Sequence, residues 1–192
     1  MSFAKSLFLI LPTLIFSTGL ANPQLARFES LAGNFDQVKR IKELDLEIKT
    51  AGDFRVLRPK IGAPVFFWNI KTPKPSKICI DDIGLVMNEK SMSFSEVGAE
   101  AGSQISDMLK IVSMDSKGIE ESFKVEKVKD KMLLTPKAAE KSFFKSAELT
   151  LNSEGLVRRL VLTEKSADQM DIQFSNLKAQ SKPSARVEKC PR

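Results

Sequence analysis

The chain reads as a mainly β protein with α: one curled antiparallel sheet, an unclosed half-barrel, lidded by short helices. Three observations predict this. About nine short runs alternate apolar with polar residues, which gives each a core face and a wet face. Most of them are joined by short turn signals, so neighbours pair antiparallel. Two segments show helical periodicity instead. A sheet of so many strands must curl, and the helices are the natural cover for its apolar, concave side.

Residues 1–21 are set aside as a secretory signal. Lys5 supplies a positive start, Leu7 to Phe16 an apolar run, and Gly19 and Ala21 the small residues of a cleavage site. Ten helical residues rise about 15 Å, half of a bilayer core of about 30 Å, so the run is too short for an anchor. The expected mature chain is a soluble monomer exported to the periplasm. Its domain spans 22–177, and 178–192 form a tail.

The elements follow in order. Leu25, Phe28, Leu31 and Phe35, spaced three, three and four apart, predict a helix over roughly 23–36. Leu44, Leu46 and Ile48 alternate with Asp45, Glu47 and Lys49, a strand with one buried face. Ala51-Gly52-Asp53 reads as a tight turn. Phe54, Val56 and Arg58 share a face of the next strand, stopped by Pro59. Val65–Ile70 is a strand with Phe66, Trp68 and Ile70 on one face. Ile78 and Ile80 alternate with Lys77, Cys79 and Asp81, and 81–84 turn the chain into Leu85-Val86-Met87.

Glu96 to Val112 predicts the second helix, with Val97, Ile105, Met108, Leu109 and Val112 on one stripe and Ser95 as cap. Phe123/Val125, Met132–Leu134 and Ala147/Leu149/Leu151 are further strands. Asn152–Gly155 is a hairpin turn into Val157–Leu162. Met170, Ile172 and Phe174 make the last strand, and from Lys178 the chain is polar.

Composition excludes much chemistry. Among 192 residues there is no His and no Tyr, and only two Cys. That removes Ser-His-Asp triads, Cys-His pairs, zinc-protease helices and four-cysteine metal sites. No enzymatic activity, cofactor or metal is expected. Loss of residues 1–21 removes one cation and no acid, so the formal charge falls from +6 to +5. This mild excess suits acidic surfaces. The charges are interspersed, which argues against nucleic acid.

Cys79 and Cys190, an even pair in an oxidising compartment, invite a disulfide. Cys79 lies on the wet face of its strand, where a coreless tail can reach it. The alternative is a frayed tail with a free Cys190.

Several motifs carry a resemblance. Phe35-Asp36-Gln37, then Gly52-Asp53-Phe54-Arg55-Val56-Leu57-Arg58-Pro59, Phe66-Phe67-Trp68, Pro73 and the turn with Asp82 and Gly84 fall in one order. Leu133-Leu134-Thr135-Pro136-Lys137, Leu149–Gly155 and Ile172-Gln173-Phe174 follow. Over about 25–177 the chain resembles the LolA family, periplasmic carriers of outer-membrane lipoproteins, as a divergent member. The family pattern is a helix ending near F-x-Q, then G-x-[FL]-x-[VF]-x-R-P, an aromatic-x-W strand, a Pro and an S-D-G-like turn. Here 60–65 form a longer loop than usual, and Ile83 is an extra residue in the turn.

The resemblance implies an apolar cavity for acyl chains. Phe54, Val56, Phe66, Trp68, Ile78 and Ile80 are its candidate lining, and Val97, Ile105, Met108 and Leu109 its lid helix. Ordinary core is the alternative reading of these residues. Each buried methylene contributes about 0.8 kcal/mol, so acyl chains bind tightly without polar recognition. The resemblance also implies that Arg58 latches the lid by bonding helix carbonyls; by alternation alone it either faces the interior or is released by Pro59. The implied function is carriage of acylated lipoprotein, or another lipid, from an inner-membrane donor to an outer-membrane acceptor. The alternative is a lipid-sensing or protein-interaction module on the same fold.

Overall fold

A computed structural model describes residues 25–59, 63–181 and 189–191. The expected signal segment lies outside the described residues. Among these, eleven strands form one antiparallel sheet that does not close. They are β1 (Ser30–Ile41), β2 (Leu46–Leu57), β3 (Val65–Thr72), β4 (Ser76–Ile80), β5 (Gly84–Met87) and β6 (Lys90–Ser93), then β7 (Phe123–Val128), β8 (Lys131–Pro136), β9 (Phe144–Leu151), β10 (Val157–Glu164) and β11 (Gln169–Gln180). The order across the sheet is β6-β5-β4-β3-β2-β1-β11-β10-β9-β8-β7. Two meanders therefore meet where the first strand pairs with the last. Edge strands β6 and β7 are joined through two helices, α1 (Ala99–Val112) and α2 (Ser116–Ser122).

Register fixes the two faces. Val56 pairs with Leu31 and Phe66, Phe54 with Trp68, and Ile172 with Gln37 and Leu160. With period-two alternation these residues share the concave face. They form one core with Leu134, Ala147, Leu149 and Leu162, closed by Ile111 of α1 and Ile119 of α2.

The helix expected over 23–36 does not form. Residues 25–28 precede the strand, and β1 takes its place from Ser30. Leu31 and Phe35 are four apart, a spacing that suits one face of a strand as well as a helix turn. Gly33 decides for the strand. A Cβ there would stand 2.8 Å from the Ser175 carbonyl oxygen of β11, so the backbone approach needs glycine. Phe35-Asp36-Gln37 thus lies inside a strand.

The turn expected at Ala51-Gly52-Asp53 is also continuous strand, within β2. A Cβ on Gly52 would collide with the Asn69 carbonyl of β3, where the β2–β3 register shifts. Gly52 serves a close strand approach and not a turn. The face expected to be buried at Leu44, Leu46 and Ile48 is exposed, at 68%, 46% and 41%. The alternation of Leu46 and Ile48 is real, but β1 and β2 overshoot their neighbour. The last β2–β3 pair is Ala51 with Thr72.

The remaining strands follow the sequence reading except β6, which it did not anticipate. Asn152 closes the β9–β10 hairpin, its side-chain oxygen accepting from the Glu154 and Leu156 amides at 3.0 and 2.9 Å. α1 begins at Ala99, after Gly98, and not at Glu96. Ser95 does not cap it. Instead Glu96 accepts from the Ser93 amide and hydroxyl, and Ser93 accepts from the Glu96 amide. This reciprocal box closes the turn that leads from β6 into the helix. β11 runs three residues past the expected domain boundary at 177.

Candidate functional site

α1 lies across the concave face because one stripe of it is apolar. Ile105, Met108, Leu109 and Val112 point at the sheet and enclose a cavity of about 290 Å³. The floor is Phe66 and Trp68 of β3, Ile78 and Ile80 of β4, and Met170 and Ile172 of β11. Phe143 closes one side, and Gln37 of β1 is the one polar residue among the twelve described that line it. Trp68 is anchored by stacking on Phe35, with centroids 3.6 Å apart, and packs against Phe66 at 5.3 Å.

Seven of the expected cavity and lid residues therefore meet here: Phe66, Trp68, Ile78, Ile80, Ile105, Met108 and Leu109. Three do not. Val56 is fully buried in the core, Phe54 packs edge-on against Phe174 at 5.1 Å, and Val97 lies in the turn before α1. Strand β2 ends at Leu57, so Arg58 leaves the expected alternation. Its amide donates to the Glu29 carbonyl at 2.7 Å, and its guanidinium carbon stands 5.2 Å from the Phe28 ring centroid. That cation–π contact holds it against the segment preceding β1.

Sequence reasoning missed Gln37, Val112, Phe143, Met170 and Ile172 as lining. Met170 and Ile172 were legible as one strand face. That β11 closes against β1, beside the cavity, is a non-local pairing with no local signal.

The convex face is built differently. Cys79 and Cys190 form the expected disulfide, across 111 residues, with Cα atoms 5.6 Å apart. Around it Leu57, Val65, Phe67 and Val86 make a second small core. Asp81 is buried beside it. Its carboxylate accepts from the Ile83, Gly84 and Cys190 amides at 3.0, 3.2 and 3.3 Å, which turns the chain into β5 and holds the tail. A wide groove of about 1460 Å³, with polar and apolar residues mixed in its lining, adjoins this region. Of its charged lining, Asp53 pairs with Lys71 and Asn69 and Arg55 lies over Phe67, while Lys77, Glu89 and Lys178 are exposed. The cavity under α1 has the more uniformly apolar lining. Among the described residues, no three Cys, Asp or Glu converge as metal ligands.

An eleven-stranded open sheet with an apolar cavity under a helix is the arrangement that the sequence resemblance implied. The family model for outer membrane lipoprotein carrier protein LolA matches residues 26–188. The chain belongs to the LolA family. No curated protein matches it in sequence. It is similar to a LolA superfamily protein of Nitrosomonas europaea, at 12% identity over 85% of this chain and 92% of that one, with a TM-score of 0.40. It is similar to a putative outer membrane lipoprotein-sorting protein domain of Vibrio parahaemolyticus, at 7% identity over 81% and 87%, TM-score 0.39. In the MucA/MucB complex of Pseudomonas aeruginosa the identity is 12% and the TM-score 0.48; this chain covers 53% of the matched chain, about half its length. This is a divergent LolA-family protein. LolA-like members are carrier or binding proteins.

Proposed function

We propose that this LolA-family protein is a periplasmic carrier that holds an acyl chain of a lipoprotein, or of another lipid, beneath α1. The observation that supports it is the cavity, with eleven apolar residues among the twelve described. Such a lining gives a hydrocarbon chain burial without leaving buried polar groups unpaired. Met108 and Met170 add a lining that adapts to chains of different shape.

Volume limits the load. About 290 Å³ is at the low end for ligand pockets. With the lid as it stands the site takes one aliphatic chain, so a multiply acylated cargo requires α1 to move. In this reading Arg58 steadies the edge of the lidded core through Phe28. The donor is an inner-membrane complex and the acceptor lies at the outer membrane.

The test is a titration with a fluorescent fatty acid, together with mass spectrometry of lipids extracted from the purified protein. Ile80→Trp fills the cavity with an apolar group and is expected to weaken probe binding about tenfold or more while folding is kept. Tight binding by the filled variant, or protein free of lipid that binds no probe and instead holds a protein partner stoichiometrically, overturns the carrier reading.

A further inference from the structure

The β1–β2 hairpin does more than connect two strands. β2 continues five residues, 46–50, beyond its last pair with β3. At strand rise this is an overhang of about 17 Å. Its tip is a 3-10 turn, Lys42–Leu44, followed by Asp45 in the left-handed region at φ 47°. The Lys42 amide donates to the Asp168 carboxylate at 3.0 Å, so the tip is held against the β10–β11 turn. On this fixed support Leu44, Leu46 and Ile48 are exposed.

Their position is specific. Ile48 pairs with Lys39, and Lys39 pairs with Met170 on its other side. Met170 lines the cavity. Ile48 therefore stands in the cross-strand row at the cavity's lip, and Leu46 with Ile41 in the next row outward. On that face Lys39, ion-paired with Glu164, stands between Met170 and Ile48, so the exposed aliphatic patch lies one strand beyond the cavity's lip. Asp45, Glu47 and Lys49 occupy the opposite face and stay wet.

Charge narrows the occupant. Residues 39–49 hold four cations and three carboxylates, and the adjoining stretch 70–80 adds Lys71, Lys74 and Lys77 with no acid. The β10–β11 turn against the tip adds Lys165, Glu164 and Asp168, and Asp53 pairs with Lys71, so eight cations stand with six carboxylates, a small excess of positive charge. Lys39 and Lys71 are paired with Glu164 and Asp53, while Lys42, Lys74 and Lys77 are exposed. Exposed aliphatic residues with a small excess of cations nearby fit the interface of an anionic bilayer, where the former enter the acyl boundary and the latter meet headgroups.

We propose that the β1–β2 hairpin is a membrane-docking element that seats on anionic lipid and sets the cavity lip against the bilayer. What passes across that lip rests on the acyl-chain reading above; the docking itself does not.

Flotation with vesicles of phosphatidylcholine and phosphatidylglycerol tests it. The protein is expected to float with these vesicles, less with pure phosphatidylcholine, and less at high salt. The triple variant Leu44→Ser, Leu46→Ser, Ile48→Ser is expected to lose about tenfold or more in partitioning. It should bind the fluorescent fatty acid as the parent does when no vesicles are present. A Leu44→Trp variant gives an independent readout: its emission should shift to the blue on vesicles and be quenched by brominated lipid. Failure of the parent to float, undiminished flotation of the triple variant, or an indole that stays in water overturns the docking. So does cross-linking that places a second copy on the hairpin. Flotation without fatty-acid binding supports the docking and defeats the carrier reading instead.

Discussion

Asp171 faces the convex side of β11 and takes two hydrogen bonds from Arg159 of β10, at 2.9 Å from Nε and 2.7 Å from Nη2. These bonds, helped by the opposite charge, hold its carboxyl below the usual carboxylate range. A folded-state pKa below the unfolded one stabilises at pH above the ordinary value of about 3.9. That contribution is lost as pH falls through the folded pKa. Arg159 is half exposed, so screening reduces the pair to about 1 kcal/mol. Asp171→Asn is expected to lower stability by that amount at pH 7 and to differ little from the parent in strong acid. Urea unfolding at the two pH values measures it, and an equal loss at both would assign the effect to packing. Nothing in the sequence marked this pair. Arg159 and Asp171 are ordinary wet-face residues until the β10–β11 register brings them together.

Strand β2 shows what an element's pattern conveys and what it omits. Its alternation named the inner-face residues correctly, since Phe54 and Val56 are buried. It did not say where neighbouring strands stop, so Leu46 and Ile48 were assigned a core that β3 never reaches. Gly52 was legible as a special position, but its cause lies in the approach of Asn69 across the strand pair. Gly52→Ala is expected to destabilise by about 1–3 kcal/mol, because the added methyl meets backbone and not a yielding side chain. Thermal unfolding reads the loss; an unchanged midpoint would show that the strands separate freely at that point. α1 was found from its stripe, and with it three lining residues. α2 was missed because seven residues with Gly118 among them make too short a period. The first segment was misread because a spacing of four belongs to both periods.

At the scale of the molecule, the disulfide and the lid divide the work between the faces. The Cys79–Cys190 bridge closes a loop of 111 residues. Its loss is expected to cost about 2–5 kcal/mol. Cys190→Ser should unfold at correspondingly lower denaturant, yet bind the fluorescent fatty acid unchanged, since the cavity is on the other face. A variant as stable as the parent would mean that Asp81 and the small convex core hold the tail unaided. The pairing was legible because the chain has two cysteines and a strand face for one of them.

The lid has a different mechanical standing. It is tied at both ends to the two free edges of the sheet, to β6 through the Ser93–Glu96 turn and to β7 through α2, which runs into the strand at Phe123. A helix so fastened cannot swing like a door. It behaves as a bowstring across an arch: lifting it for a bulkier cargo must either flex the limbs apart or slacken the string. Spin labels at Ser91 and Lys127 would register that change as a wider distance on loading, and an unchanged distance would locate the give within the string itself.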